Sequence, residues 1–148
     1  MLVIGSDHGG LNLKAALKEY LAQRKVEVAD AGTQTNDSVD YPEFGLKVAE
    51  MVVSGSAERG ILVCGTGIGM SIAANKVPGI RAALVTDPFM ARMAKEHNNA
   101  NILVLGGRVL TEQQACELVG AWLDASFEGG RHQGRLDLIS DIEKKYSK

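Results

Sequence analysis

The chain has 148 residues, 45% of them hydrophobic and 23% charged, the size and make-up of one globular domain, since domains cluster near ~100 to 150 residues. Its 16 basic and 18 acidic side chains leave a net charge of -2, which excludes an overall electrostatic pull toward nucleic acid or an anionic membrane, so a bound anion must be held by a local cluster of cations. Two cysteines, Cys64 and Cys116, without Cys-x-x-Cys spacing, exclude a disulfide framework and a structural zinc site and fit a reducing, cytoplasmic setting.

The chain opens Met-Leu-Val-Ile-Gly-Ser-Asp-His, with neither the basic leader nor the ~7 to 15 apolar residues of a signal peptide. No run approaches the ~20 apolar residues that cross a bilayer, and a small soluble partner is expected. Residues 2–4 form the first short, branched apolar run and predict a buried strand. Leu13, Ala16, Leu17, Tyr20 and Leu21 follow at helical spacing, and residues 26–29 predict a second strand. Further strands are predicted over 61–63, 81–85 and 102–105. Asp87 before Pro88 marks a helix start, an acceptor at the N-cap with proline at the first helical position. Thr111 with Gln114 fits a capping box, and Ala115, Leu118, Val119, Trp122 and Leu123 repeat the helical spacing behind it. Residues 128–135, Glu-Gly-Gly-Arg-His-Gln-Gly-Arg, break the rhythm before a last short helix with Leu138, Ile142 and Tyr146 on one face. Alternation of this kind implies right-handed crossovers and an α/β fold, a three-layer αβα sandwich around a five-stranded parallel sheet. The whole of 1–148 reads as a single domain, with 128–148 a tail whose apolar stripe needs a surface, such as a neighbouring subunit, to cover.

In an open parallel sheet ligands sit beyond the carboxyl ends of the strands. There the sequence puts Asp7, His8, Gly9 and Gly10 after the first strand, Cys64 to Gly69 after the third and Arg108 after the fifth, with Asp40, Tyr41 and Pro42 in the turn after the second. Acid, imidazole, thiol, guanidinium and phenol thus converge on one crevice. Each residue alone has a plainer reading: Asp7 could cap the first helix, and Cys64 could be an inert buried thiol.

The loop Gly65-Thr66-Gly67-Ile68-Gly69 is neither a dinucleotide fingerprint, which needs G-x-x-G at its end, nor a Walker loop, which needs Lys-Ser or Lys-Thr. A tyrosine-phosphatase-like loop needs arginine where Met70 stands. What remains is a glycine-rich turn opening a helix, whose backbone N–H groups would hold negative charge beside Cys64 and favour its thiolate. A thiolate next to amide donors suits proton abstraction beside a carbonyl, base catalysis contributing about 10² to 10⁴ in rate and each amide roughly 3 kcal/mol. His8, His97 and His132 stand in polar, glycine- or asparagine-rich settings, which disfavours a core role. His97 is expected at a helix C-terminus, where protonated imidazole is favoured. No histidine pair has i, i+4 spacing and no second cysteine is near, so no metal is expected. Arg108, Arg131 and Arg135 supply the missing cations, as forks for phosphate oxygens.

Asp7-His8-Gly9-Gly10, Asp40-Tyr41-Pro42, Cys64 to Gly69, Ala73-Ala74-Asn75-Lys76, Glu96-His97-Asn98, Gly107-Arg108 and Gly130-Arg131-His132-Gln133-x-Arg135 together resemble the type B ribose-5-phosphate isomerases of the ribose/galactose isomerase family, nearly end to end and in order. The resemblance implies a sheet of order 2-1-3-5-4, a homodimer or a tetramer with sites between subunits, and cofactor-free interconversion of ribose 5-phosphate and ribulose 5-phosphate through an enediolate. By the same resemblance Cys64 is the base and His97 opens the sugar ring. Gly65, Thr66, Gly67, Ile68 and Gly69 hold the enediolate, with the Thr66 hydroxyl near the shuttled protons. Asp7, His8 and Asn98 contact the sugar, Tyr41 walls the pocket, and Arg108, Arg131 and Arg135 grip the phosphate. One branch of the family uses glutamate at the position of Met70 instead of this cysteine, and this sequence matches the cysteine branch. Three alternatives stay open: a six-carbon substrate such as galactose 6-phosphate or allose 6-phosphate, a non-catalytic sugar-phosphate or nucleotide sensor, and one subunit of a hetero-oligomeric isomerase.

Overall fold

In a strand, successive side chains face opposite sides of the sheet, and the apolar runs of this chain divide accordingly. The computed structural model describes residues 1–147 and contains β1 (Leu2–Ser6), β2 (Val28–Asp30), β3 (Arg59–Cys64), β4 (Ala82–Leu84) and β5 (Ile102–Gly106). The helices are α1 (Leu11–Gln23), α2 (Tyr41–Val53), α3 (Ile68–Ala74), α4 (Pro88–Glu96), α5 (Glu112–Asp124) and α6 (Arg131–Tyr146). Leu2, Ile4, Ile61, Val63, Leu103 and Leu105 pack with residues of α1, α4 and α5 on one face, including the fully buried Trp122. Val3, Leu62, Cys64, Ile102 and Val104 pack with α2 and α3 on the other. Both faces are therefore covered, the condition under which a parallel sheet is stable, and the expected three-layer sandwich is what the chain adopts.

All strand pairings are parallel and the order is β2-β1-β3-β5-β4. The chain leaves β1 toward β2 on one side and later returns to place β3 on the other, so a topological switch point lies at the carboxyl ends of β1 and β3. Ser6 is level with Val63, and Cys64 is level with Gly106. Thr111 and Gln114 form the expected capping box at α5, and Asp87 accepts the Met90 N–H at 2.8 Å to cap α4.

Three expectations are corrected. Tyr41 is not in the turn after β2: it opens α2, with Pro42 in its first turn. The stretch 128–135 is not one irregular break, because α6 starts at Arg131 and runs for 16 residues, longer than the short terminal helix expected. Within it the break is confined to Glu128, Gly129 and Gly130, and the two glycines hold φ of +69° and +55°, a region that side chains disfavour. His132 is not in a polar, open setting either: it is 4% exposed, on the inner side of the first turn of α6 with Leu136. Leu138, Ile142 and Tyr146 do share an exposed face, as expected.

Candidate active site

The crevice beyond β1 and β3 begins with Asp7, whose carboxylate accepts the Gly10 N–H at 3.1 Å and caps the short turn His8–Gly10. The capping role and a place on the crevice wall are thus compatible. His8 Nδ1 accepts the Val39 N–H at 3.2 Å; a backbone amide can only donate, so a neutral His8 carries its proton on Nε2.

Close approach of backbone to backbone explains the glycines. A Cβ on Gly10 would come within 2.6 Å of the Val63 carbonyl, one on Gly106 within 2.7 Å of Thr66 O, and one on Gly107 within 2.7 Å of Gly9 O. Gly107 N–H donates to Cys64 O at 2.8 Å and Arg108 N–H to Gly65 O at 2.9 Å. These straps carry Arg108 across from β5 so that its guanidinium lies against Gly9 and Gly65. Arg108 is exposed and has no carboxylate partner among the described residues, which leaves a cation available to an anion from solution.

Cys64 ends β3 with 5% exposure, and its Sγ accepts the Gly67 N–H at 3.2 Å. The loop turns at Gly67, which has φ +83° and precedes α3, and Ile68 N–H donates to the Thr66 hydroxyl oxygen at 3.2 Å. Tyr41 packs against Gly69, where a Cβ would meet its ring at 2.5 Å. Asp7, Tyr41, Cys64, Gly65, Thr66, Ile68, Gly69 and Arg108 line one open crevice of about 430 Å³ together with Ile72, a wall residue that sequence reasoning missed. Its signal was the helical spacing Ile68–Ile72, which puts both side chains on one exposed face of α3.

His97, Asn98, Arg131 and Arg135 are not brought to that crevice. His97 caps the C-terminus of α4 and precedes the start of β5, whereas Cys64 is level with the end of β5. Four residues of strand separate those levels, about 13 Å at ~3.3 Å per residue, and the two groups lie toward opposite ends of the strands. Around His97 a second cluster forms. Its ring stacks on His132 with centroids 4.1 Å apart and planes at 15°. Glu128 reaches both, Oε1 at 3.8 Å from His97 Nε2 and Oε2 at 3.7 Å from His132 Nε2. The Glu128 N–H donates to Glu96 O at 3.0 Å, tying this segment to the end of α4. Burial lowers the pKa of His132 below the usual imidazole value, helped by the neighbouring His97 and the guanidiniums of Arg131 and Arg135, against the raising effect of Glu128. Arg131 and Arg135 are exposed, one turn apart on α6, without carboxylate partners among the described residues. Asn98 faces a separate cavity of about 240 Å³ beside Leu136 and Ile139.

The model of the ribose/galactose isomerase family matches residues 2–139. The Escherichia coli (strain K12) ribose-5-phosphate isomerase B is 44% identical over 144 residues, covering 97% of each chain. Among solved structures, the Clostridium thermocellum ribose-5-phosphate isomerase B superposes with a TM-score of 0.98 at 60% identity over 99% of both chains. The Mycoplasma genitalium ribose-5-phosphate isomerase B, solved with bound ribulose-5-phosphate, gives a TM-score of 0.93 at 44% identity, covering 97% of this chain and 96% of the other.

Proposed function

From the premise that this chain belongs to the ribose/galactose isomerase family, we propose that it interconverts ribose 5-phosphate and ribulose 5-phosphate, with Cys64 as the base and two copies of the chain building each site. The observation that carries the reading is the Cys64 sulfur, held by the Gly67 amide in an open crevice that also presents Arg108. Phosphate capture alone requires no thiol there.

The open-chain aldose places its C2–H beside Sγ. The thiolate takes that proton, the C–H electron pair becomes the C1–C2 double bond, and the carbonyl oxygen on C1 takes up a proton to complete the enediol. The new thiol then returns its proton to C1 while the C2 hydroxyl loses its own, leaving the ketone at C2. Atoms and charge balance without a redox partner. Backbone N–H groups of the 65–69 loop stabilise the oxyanion where it develops, Thr66 Oγ1 lies at the same mouth to relay the hydroxyl protons, and Asp7 and His8 Nε2–H hold the sugar hydroxyls. Arg108 grips the phosphate.

Ring opening by His97, a sugar contact from Asn98 and the rest of the phosphate grip by Arg131 and Arg135 are assigned to a second copy, because one chain holds these residues toward the opposite end of the strands from its own Cys64. Ile68 and Ile72 beside the crevice and Leu138, Ile142 and Tyr146 on α6 are apolar and exposed, the surface such a homodimer would bury.

The test is Cys64→Ala followed by NMR of ribose 5-phosphate in heavy water. Exchange of the C2 proton is expected to fall by about 10² to 10⁴, and exchange at the parent rate would remove Cys64 as the base. Rates for ribose 5-phosphate against galactose 6-phosphate and allose 6-phosphate in the same preparation set the chain length of the substrate.

A further inference from the structure

At the amino ends of the strands, away from the crevice, three cations share one recess. Arg59, the first residue of β3, Arg81, just before β4, and Lys95, in the last turn of α4, line a cavity of about 370 Å³ together with Glu58, Asn99 and Asn101. Arg59 and Cys64 are the two ends of β3, about 16 Å apart at ~3.3 Å per residue. Neither the crevice residues nor His97, Asn98, Arg131 and Arg135 line this recess.

All three cations are half-buried, and none has a carboxylate partner among the described residues. Glu58 faces the amino terminus, its Oε1 3.8 Å from the Met1 nitrogen, so those two charges offset and the three side-chain cations are left in surplus. The field of Glu143 reaches Arg81, but Glu143 does not line the cavity, and its carboxylate accepts the Gly79 N–H at 2.8 Å. Burial lowers the pKa of Lys95, and the charges of Arg59 and Arg81 lower it further.

The cations are also held in place. Asn99, at φ +45°, accepts from Arg81 Nε at its carbonyl, 3.0 Å, and from Lys95 Nζ at Oδ1, 3.3 Å. Asn101 Oδ1 accepts the Arg81 N–H at 2.8 Å. The Arg59 guanidinium stands 5.7 Å from the Trp122 ring centroid, a cation–π contact that positions the charge without neutralising it. Like charges gathered partly out of water repel, and each is costly while unpaired; a multivalent anion relieves both. We propose that this recess binds a phosphate-class polyanion, a diphosphate or a phosphorylated metabolite, at a site separate from the isomerase crevice. Guanidinium forks match phosphate oxygens two at a time and lysine adds a point charge, and the volume falls within the range of small-molecule pockets.

The test titrates sodium pyrophosphate into the full chain at low ionic strength, where such attraction is least screened, and follows the Lys95 ε-CH2 resonance by NMR. A saturable shift is expected, with the Lys95 titration midpoint moved to higher pH by the bound anion. Arg108→Ala, which removes a cation of the crevice, should keep that shift, and Arg59→Gln should weaken binding at least about tenfold. By calorimetry the number of pyrophosphate ions bound per chain should fall by one in Lys95→Gln, which keeps the site testable if Arg59→Gln does not fold. No saturable shift at Lys95, a shift lost in Arg108→Ala, equal affinity in Arg59→Gln or unchanged stoichiometry in Lys95→Gln would each overturn the site. Citrate binding as tightly as pyrophosphate would overturn its assignment to phosphate. The site does not rest on the isomerase reading, which stands or falls on C2 proton exchange.

Discussion

Gly69 is under tight steric constraint at the crevice. A Cβ there would sit 2.5 Å from Cε1 and Cζ of Tyr41, so Gly69→Ala has to displace the ring that walls the crevice. The expected outcome is a rise in KM for sugar phosphate with a destabilisation of about 1 to 3 kcal/mol, the usual range for overpacking, read from kinetics and chemical denaturation on the same protein. Gly67 is constrained differently: φ of +83° and Leu84 Cδ1 at 2.5 Å from a would-be Cβ exclude a side chain on two counts. Arg108 belongs to the opposite class, exposed and unopposed by a carboxylate. Arg108→Ala is therefore expected to raise KM for phosphorylated substrate at least about tenfold, since a charge-assisted hydrogen bond is worth about 1.5 to 3 kcal/mol, while a thermal melt moves little. Equal KM in the variant would remove Arg108 from the phosphate grip. The glycine-rich loop was legible in the sequence because so few motifs open that way, and Ile72 was legible only through its spacing from Ile68, whereas Glu128 was not, because an exposed glutamate has no local signature until its neighbours are known.

The edge strand β2 shows what ties an element down. Asp30 at its end takes 2.7 Å and 2.9 Å ion pairs from Lys14 and Lys18 of α1, and Lys14 is only 2% exposed. Desolvation raises the Asp30 pKa, but hydrogen bonds from Lys14, Lys18 and the Gly32 N–H outweigh it and the net shift is downward. A folded-state pKa below the unfolded value of about 3.9 means the tie is fully present above that value and is lost as pH falls through the folded pKa. Asp30→Ala should therefore cost about 3 kcal/mol at neutral pH, because it strands a buried ammonium, and the gap to the parent should narrow in urea melts taken at progressively lower pH below about 4. At α5 the capping box sets a smaller figure: Thr111→Ala removes the acceptor for the Gln114 N–H and should cost about 1 kcal/mol in the same melts. Caps and apolar periods of this kind are local, which is why α1, α4 and α5 stood out in the sequence. The start of α6 did not, since Gly130, Gly134 and a run of charged residues read as a break although the chain is helical again from Arg131.

For the whole molecule the decisive feature is that one chain carries two separate clusters at opposite ends of its strands, the thiol and Arg108 at one and His97, Arg131 and Arg135 at the other. If sites form between copies, a Cys64→Ala chain and a His97→Ala chain, each inactive alone, should complement when unfolded and refolded together, recovering about a quarter of parental activity if dimers assort at random and each pairs both half-sites by two-fold symmetry. No recovery in verified mixed dimers would mean that each site draws all its groups from a single chain. The sequence by itself determined the layer architecture and, Ile72 apart, the identity of the crevice residues, because strand and helix periods, caps and close-packed glycines act over a few residues. Only the tertiary structure decided that His97 stands apart from Cys64 and that His132 is buried and stacked on it, with Glu128 reaching both rings. Those facts depend on which edge of the sheet each loop reaches, and that is set by the order of strands and the packing of α4 against its neighbours, long-range terms that no local window contains.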